Sequence, residues 1–255
     1  MKLPLLRLLA IALVAVASVR ADDHRYKESF SESGPFNRTG VITLDNVNGQ
    51  IEITTWDKDE IRIEGEKSAK TQEELKLIEL TIDRSASRAD IKVKLPKRPG
   101  GWFGNNSVRG GVSFRLTVPA SASLERITVV NTSIDIDGVQ GAVNAQSVNG
   151  RIRAHDLGGN ARLKSVNGGL TASFKRVVAD QTLSFDTVNG SIEIRLPADA
   201  GADVQAKVVN GRIDCEFPIE VQGRVGGKRL SGKIGDGRAP LSAESVNGSI
   251  RIKKN

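Results

Sequence analysis

The tripeptide Val-Asn-Gly, followed by alternating apolar residues, recurs along this chain and constrains its fold more than any other feature. Its asparagines are Asn48, Asn149, Asn167, Asn189, Asn210 and Asn247, and Val130-Asn131-Thr132 is a near copy. Leu230-Ser231-Gly232 resembles a decayed copy. From Asn131 onward most copies follow one another at about 18–22 residues. A period of this size is typical of a repeat array in which each unit buries its apolar face against the next.

Each repeat contains two short strand patterns, one before the asparagine and one after it. In the repeat of Asn189 the alternating apolar residues are Leu183 and Phe185 before the asparagine, and Ile192 and Ile194 after it. Successive side chains of a strand point to opposite faces. The same columns recur from repeat to repeat, so we expect them to form one buried core.

Two topologies place Asn-Gly between two strands. A type I′ turn would give an antiparallel meander, whereas stacked coils would give a parallel β-helix. Apolar columns that recur once per repeat favour the second, because stacked coils place like residues over like. We therefore predict an all-β chain, a parallel β-helix or β-solenoid with about 18–22 residues per coil and one short helix in its N-terminal part.

The asparagines are expected at the corners of the coils. There Asn tolerates a left-handed conformation and Gly permits positive φ. Stacked Asn side chains can hydrogen-bond to one another, which predicts a structural turn ladder of Asn48, Asn131, Asn149, Asn167, Asn189, Asn210 and Asn247. The alternative is that the same row binds a ligand.

The N-terminus has the layout of a signal peptide. A positive start is followed by an apolar run from Leu8 to Val19, which is too short to span a bilayer. We predict cleavage after Ala21, with Ala17 as the alternative, no membrane span afterwards, and export to the periplasm, the cell surface or the medium. Loss of Lys2, Arg7 and Arg20 lowers the formal net charge from +7 to +4. This charge is modest, and the basic clusters are not interleaved with aromatic residues. We therefore expect no nucleic-acid binding.

The mature chain is expected to be a single β-solenoid domain, residues 22–255. Residues 22–123 would form irregular first coils and a cap, and residues 124–255 the regular repeats. Thr71-Gln72-Glu73-Glu74 is a capping box and predicts a helix that ends near Lys76. A Gly- and Pro-rich segment, 96–111, reads as an exposed loop that carries Trp102 and Phe103.

The composition leaves little material for catalysis or metal binding. Cys215 is the single cysteine, so no intramolecular disulfide can form, and it lies in an inward column. His24 and His155 are the two histidines. We therefore predict no cofactor, no metal site and no enzyme activity.

One pair of acids keeps an enzymatic alternative open. If the coils stack in chain order, Glu193 lies beside Asp214 and Arg195 lies over Glu216. Paired carboxylates serve glycosidases, so the alternative is a carbohydrate-active β-helix enzyme that uses Glu193 and Asp214. Charges interleaved on a solvated face explain the same residues.

Trp102 and Phe103 are the predicted binding residues, because exposed aromatic residues in a Gly-rich loop favour a contact site. The competing interpretation is that they fold back and cover the end of the core.

Four parts of the chain resemble the bacterial putative-adhesin family of exported envelope β-repeat proteins. They are the signal peptide, the early unit Asp45-Asn46-Val47-Asn48-Gly49, the strand 112–118 with the following Pro119-Ala120-Ser121-Ala122-Ser123-Leu124, and the Val-Asn-Gly coils. The resemblance covers nearly all of the mature chain and implies an exported, non-enzymatic β-solenoid. The expected function is an adhesin-like or scaffold protein that binds an envelope polysaccharide or a protein partner. A periplasmic partner in envelope-stress signalling is a further alternative, and the sequence does not define an oligomeric state.

Overall fold

The computed structural model of the protein describes residues 26–95, 110–221 and 228–255, which form β-strands and one short helix, α1 (Gln72–Lys76). The strands of the N-terminal part are β1 (Tyr26–Pro35), β2 (Val41–Asn48), β3 (Ile51–Trp56), β4 (Glu60–Ala69), β5 (Glu79–Arg84), β6 (Arg88–Lys94) and β7 (Gly110–Pro119). The strands of the repeats are β8 (Ser123–Asn131), β9 (Ile134–Asp137), β10 (Val143–Ser147), β11 (Ile152–Leu157), β12 (Ala161–Asn167), β13 (Leu170–Phe174), β14 (Leu183–Asn189), β15 (Ile192–Leu196), β16 (Ala202–Asn210), β17 (Ile213–Cys215), β18 (Glu220–Val221), β19 (Arg229–Ile234), β20 (Ala239–Asn247) and β21 (Ile250–Lys254).

The strands are divided between two sheets, which we call sheet A and sheet B. Sheet A has the order β1-β4-β7-β3-β9-β11-β13-β15-β21-β17, and sheet B has the order β18-β19-β16-β20-β14-β12-β10-β8-β2-β6-β5. Each repeat contributes one strand to sheet B, turns at its Asn-Gly corner, and contributes the next strand to sheet A. Strands of neighbouring repeats pair in parallel, for example β10 with β12 and β11 with β13. The two strands of one repeat do not pair with each other, so the antiparallel meander is wrong.

The register places like residues over like. Val143 pairs with Ala161, and Ala161 with Leu183, while on the other sheet Ile134 pairs with Ile152. These inward columns are buried and join one hydrophobic cluster that extends from Phe36 to Ile252. The core therefore follows from the alternation of the sequence, since every second side chain of both sheets faces the same interior.

The order of the last coils differs from the order of the chain. The C-terminal repeat, β20 with β21, lies between the repeat of β14 with β15 and the repeat of β16 with β17. The expectation that the coils stack in chain order is therefore wrong at this end. The sequence does not indicate this changed order of the coils. The corner motifs of the three repeats are alike, so each repeat could stack on the same neighbouring coil.

Antiparallel strands lie at both ends of the stack. At the N-terminal end β1 pairs with β4, β4 with β7 and β5 with β6, and at the other end β19 pairs with β16 and β18 with β19. Leu230-Ser231-Gly232 belongs to β19, so it is not a decayed coil. Strand β1 was not predicted from the sequence, because its side chains are mostly exposed and follow no apolar alternation.

Helix α1 begins where the capping box predicts. The Thr71 hydroxyl accepts a hydrogen bond from the backbone N–H of Glu74 at 3.1 Å, and the helix ends at Lys76. The hydroxyl satisfies one of the free N–H groups of the first turn. Leu75 and Ile78 anchor this short segment to the core.

Candidate functional site

The seven corner asparagines form a continuous ladder along the stack. Each side-chain amide donates to the side-chain oxygen of the asparagine before it in the ladder, at 2.7–3.0 Å, in the spatial order Asn48, Asn131, Asn149, Asn167, Asn189, Asn247 and Asn210. At the N-terminal end the amide of Asn48 donates to the carbonyl oxygen of Gly110 at 2.9 Å. All the amide dipoles in the row therefore point the same way, which strengthens each bond by polarising the next.

The corner glycines allow neighbouring coils to approach closely. Most of them do not have the positive φ that we expected. Gly49 has a φ of +109°, but Gly150, Gly168 and Gly190 are outside the left-handed region, as are all seven ladder asparagines. A Cβ built on Gly168 would lie 2.0 Å from the carbonyl oxygen of Gly150, and one on Gly190 would lie 2.1 Å from that of Gly168. The left-handed interpretation is therefore wrong at these corners, where stacking itself leaves no space for a side chain.

A second, buried row of hydroxyl groups lies two residues before the ladder. The side chains of Ser165, Thr187 and Ser245 each donate to the carbonyl oxygen of the neighbouring corner glycine at 2.9–3.0 Å. Such bonds give these part-buried carbonyl groups a hydrogen-bond partner. This row was not predicted from the sequence, although four repeats carry Ser or Thr two residues before the asparagine.

The valine before each ladder asparagine points to solvent on sheet B. Five of the eight large apolar side chains that are exposed in the described residues belong to this column: Val148, Val166, Val188, Val246 and Val209, at 39–46% exposure. They line a shallow groove of about 460 Å³ whose other side is formed by Gln146, Lys164, Asp186, Glu244 and Lys207. We call this surface, the five valines with those five polar residues, the valine strip.

Sheet A presents interleaved charges on its outward face. Arg153 binds Asp135 with two hydrogen bonds, one of them at 2.9 Å, and Arg115 contacts Glu52 at 3.1 Å. Hydrogen bonding to Asp135 raises the pKa of the Arg153 guanidinium. These partly exposed pairs neutralise the face and contribute little stability each.

Glu193 and Asp214 are not neighbours, which corrects the proposed acid pair. Strand β21 lies between their strands, and Arg251 pairs in register with both residues. Glu193 contacts Arg195 at 2.8 Å and Lys253 at 3.1 Å. Burial acts to raise the pKa of Glu193, but the hydrogen bonds from Lys253 and Arg195 outweigh it and the net pKa is lowered.

An ionised, ion-paired glutamate is unsuited to general-acid catalysis, which requires a raised pKa. Arg195 faces Lys253 in the register, so its expected position over Glu216 is also wrong. The geometry therefore does not assemble the two-carboxylate site on which the enzymatic alternative depends.

The remaining predicted residues form no reactive cluster in the described parts. Cys215 lies on the short edge strand β17 and is only half-buried, whereas we expected it inside the core. Burial raises the pKa of its thiol, so the reactive thiolate is scarce at neutral pH. His155 is exposed on β11. Within the described residues no group of three or more His, Cys, Asp or Glu side chains is placed to hold a metal ion.

Trp102 and Phe103, the predicted binding residues, lie outside the described residues, as does the predicted signal peptide, residues 1–21. Among the residues that the structure describes, no helix is long and apolar enough to cross a membrane.

Comparisons with known proteins place the repeats in a family. Residues 131–253 match the family model described as Toastrack DUF4097. A comparison with curated proteins finds no match. Among solved structures, a putative cell adhesion protein from Clostridium sporogenes is similar with a TM-score of 0.53 and 13% identity, over 90% of this chain and 100% of that one. A putative adhesin from Bacteroides fragilis gives a TM-score of 0.36 and 12% identity, over 88% and 96% of the two chains.

At these identities the likeness to the Clostridium sporogenes protein is one of fold. Together with the family match, it agrees with two sheets of parallel strands built from a β-solenoid-like repeat. The matched stretch is just under half of the chain, and within it the repeats are similar to the Toastrack DUF4097 domain.

Proposed function

We propose that this protein is an exported, non-enzymatic adhesin-like or scaffold protein that binds a polymer or protein of the cell envelope. The observation that carries the proposal is the long, regular outer surface of the stack. In the described residues seven coils place their corner asparagines in register, and in five of them the preceding valine is exposed. A surface of this kind offers many equivalent weak contacts to an extended partner, and weak contacts in series give useful avidity.

Two further observations support a binding role over catalysis. Glu193 and Asp214 are separated by a strand, and Glu193 is held ionised by Lys253 and Arg195. The name of the similar structure from Clostridium sporogenes, a putative cell adhesion protein, agrees with binding as the function.

Export follows from the signal-peptide layout of residues 1–21, and the mature protein would begin at Asp22. We further propose that residues 22–255 form one parallel β-helix domain, since a single hydrophobic cluster joins the described repeats to the N-terminal strands.

The test is capture from a cell-envelope extract by the immobilised mature protein. We expect a defined polysaccharide or envelope protein to be retained in saturable amounts. Trp102→Ala/Phe103→Ala is the variant for the predicted loop site. Loss of capture in this variant would assign the contact to the loop, and equal capture would assign it to the repeat faces.

A second assay addresses catalysis directly. We expect no release of reducing ends or unsaturated products from acidic polysaccharides, with either the wild type or Glu193→Gln. Cleavage by the wild type that disappears in Glu193→Gln would contradict the non-enzymatic part of the proposal. If the protein retains nothing from the envelope extract, the binding part is wrong.

A further inference from the structure

The valine strip has the dimensions and composition of a binding surface for one linear molecule. Its five valines come from neighbouring parallel strands, so they form a straight row with a spacing of about 4.8 Å. A contiguous row of exposed apolar side chains is unusual on a soluble protein and marks an interaction surface. The groove beside it, about 460 Å³, is within the size range of ligand sites.

The polar side of the strip carries no net charge. Lys164 and Asp186 form an ion pair at 3.2 Å, and Lys207 lies opposite Glu244 in the register of β16 and β20. Gln146 is the fifth member of this column. Two positive and two negative side chains cancel each other, so the surface complements a neutral partner and offers no attraction to a polyanion.

The asparagine ladder borders the other side of the valines and retains hydrogen-bonding capacity. A side-chain amide has two N–H donors and two acceptor sites on its oxygen. The contacts along the ladder use one donor of each internal asparagine and one acceptor site. One N–H of every exposed amide therefore remains for water or a ligand, at the same interval as the valines.

The spacing and the openness of the strip select the class of ligand. An extended peptide rises about 3.3 Å per residue, so its side chains on one face recur at about 6.6 Å and fall out of step with the coils. An acyl chain would stay half in water, because the groove is shallow and polar on both sides. In a linear chain of equatorially linked sugars, each unit advances by nearly the strand spacing and presents both apolar C–H and hydroxyl groups.

We propose that the valine strip binds an uncharged linear polysaccharide that lies across the strands, along the row of valines. The C–H faces of the sugars would contact the valines, and their hydroxyl groups would bond the ladder amides on one side and Gln146 or the charged side chains on the other. This inference deepens the proposed adhesin-like function and rests on it.

The test uses affinity electrophoresis of the mature protein in native gels that contain a neutral β-linked glucan or, separately, alginate. The strip variant is Val166→Lys/Val188→Lys. The matched control, Thr171→Lys/Ser133→Lys, adds the same charge away from the strip, at Thr171 on β13 of sheet A and at Ser133 just before β9. Circular dichroism and thermal unfolding establish that both variants fold, which we expect because Val166 and Val188 are exposed and Thr171 and Ser133 are partly exposed.

We expect the neutral glucan to retard the wild type and the control variant. The strip variant should bind at least about tenfold more weakly, a loss of about 1.4 kcal/mol. The retardation should also persist in 0.5 M NaCl, on the order of the ionic strengths that screen surface charges strongly.

Several results would overturn the strip assignment. These are equal retardation of all three proteins, retardation by alginate alone that salt abolishes, no retardation in either gel, or sedimentation showing that the strip instead holds two copies of the chain together. Capture from the envelope extract is measured separately. If capture persists while the strip variant behaves as the wild type, the adhesin-like function stands and the assignment of its surface is wrong.

Discussion

The side-chain amide of Asn247 donates to the side-chain oxygen of Asn189 at 2.7 Å, across 58 residues of chain, and Asn210 in turn donates to Asn247 at 2.8 Å. The C-terminal coil is thus an internal member of the stack. The coil of β16 and β17 contacts the remaining repeats through strands that are synthesised after it. Folding of this end therefore needs β20 and β21.

Truncation after Arg238 tests this dependence, since it removes β20 and β21. We expect residues 202–216 to become sensitive to limited proteolysis, because their parallel partners are lost. Removal of the edge strand β1, residues 26–35, is the control and should leave residues 202–216 protected. Equal protection of that segment in both truncated proteins would contradict the inserted position of the C-terminal coil.

The two glycines of one corner should respond differently to alanine. In Gly168→Ala the new Cβ would lie 2.0 Å from a backbone oxygen, whereas in Gly169→Ala the nearest atom is 3.3 Å away. We expect Gly168→Ala to lower the free energy of unfolding by about 1–3 kcal/mol, as overpacking does. Gly169→Ala should cost clearly less. Urea denaturation measures both, and equal losses would show that close stacking is not the reason for the corner glycine.

The asparagine ladder should be worth more in its interior than at its end. Asn167 donates to Asn149 and accepts from Asn189, whereas Asn210 has one ladder bond, to Asn247. Each net hydrogen bond contributes about 1 kcal/mol. Asn167→Ala should therefore destabilise the protein by about 1 kcal/mol more than Asn210→Ala in chemical denaturation. A larger loss for Asn210→Ala would argue against a cooperative ladder.

The alternation and the corner motif were sufficient to predict the core columns and the neighbouring asparagines. Leu183 and Ile192 face inward because both obey period two around Asn189, and that rule is local. The order of the coils is not local. Repeats with the same corner and the same inward residues fit the same neighbour, so the sequence could not place Asn247 between Asn189 and Asn210.

The wrong prediction about the acid pair follows from the order of the coils. The acid pair depended on stacking the repeat of Asp214 directly on that of Glu193, and the inserted coil brings Arg251 between them. The valine strip was missed for another reason. Its residues share the apolar character of the core columns, although the alternation of β12 and β14 places Val166 and Val188 on the outward face.

Glu193 should make the stability of the protein depend on pH. Its pKa is lowered in the folded state, so its contribution is complete above the ordinary pKa of a glutamate and is lost as the pH falls through the lowered value. Glu193→Gln should therefore be less stable than the wild type at pH 7, and the difference should shrink at acid pH. Thermal unfolding from pH 7 to pH 3 measures it. A difference that grows towards low pH would contradict the ion-paired carboxylate.

The most direct test of the binding account is an NMR titration of the valine-methyl-labelled mature protein with neutral β-glucan oligosaccharides. We predict saturable shifts at Val148, Val166, Val188, Val246 and Val209, with buried valines such as Val118 and Val204 unchanged. Shifts confined to other methyl groups, or a spectrum unchanged at saturating oligosaccharide, would contradict the valine strip as the binding surface.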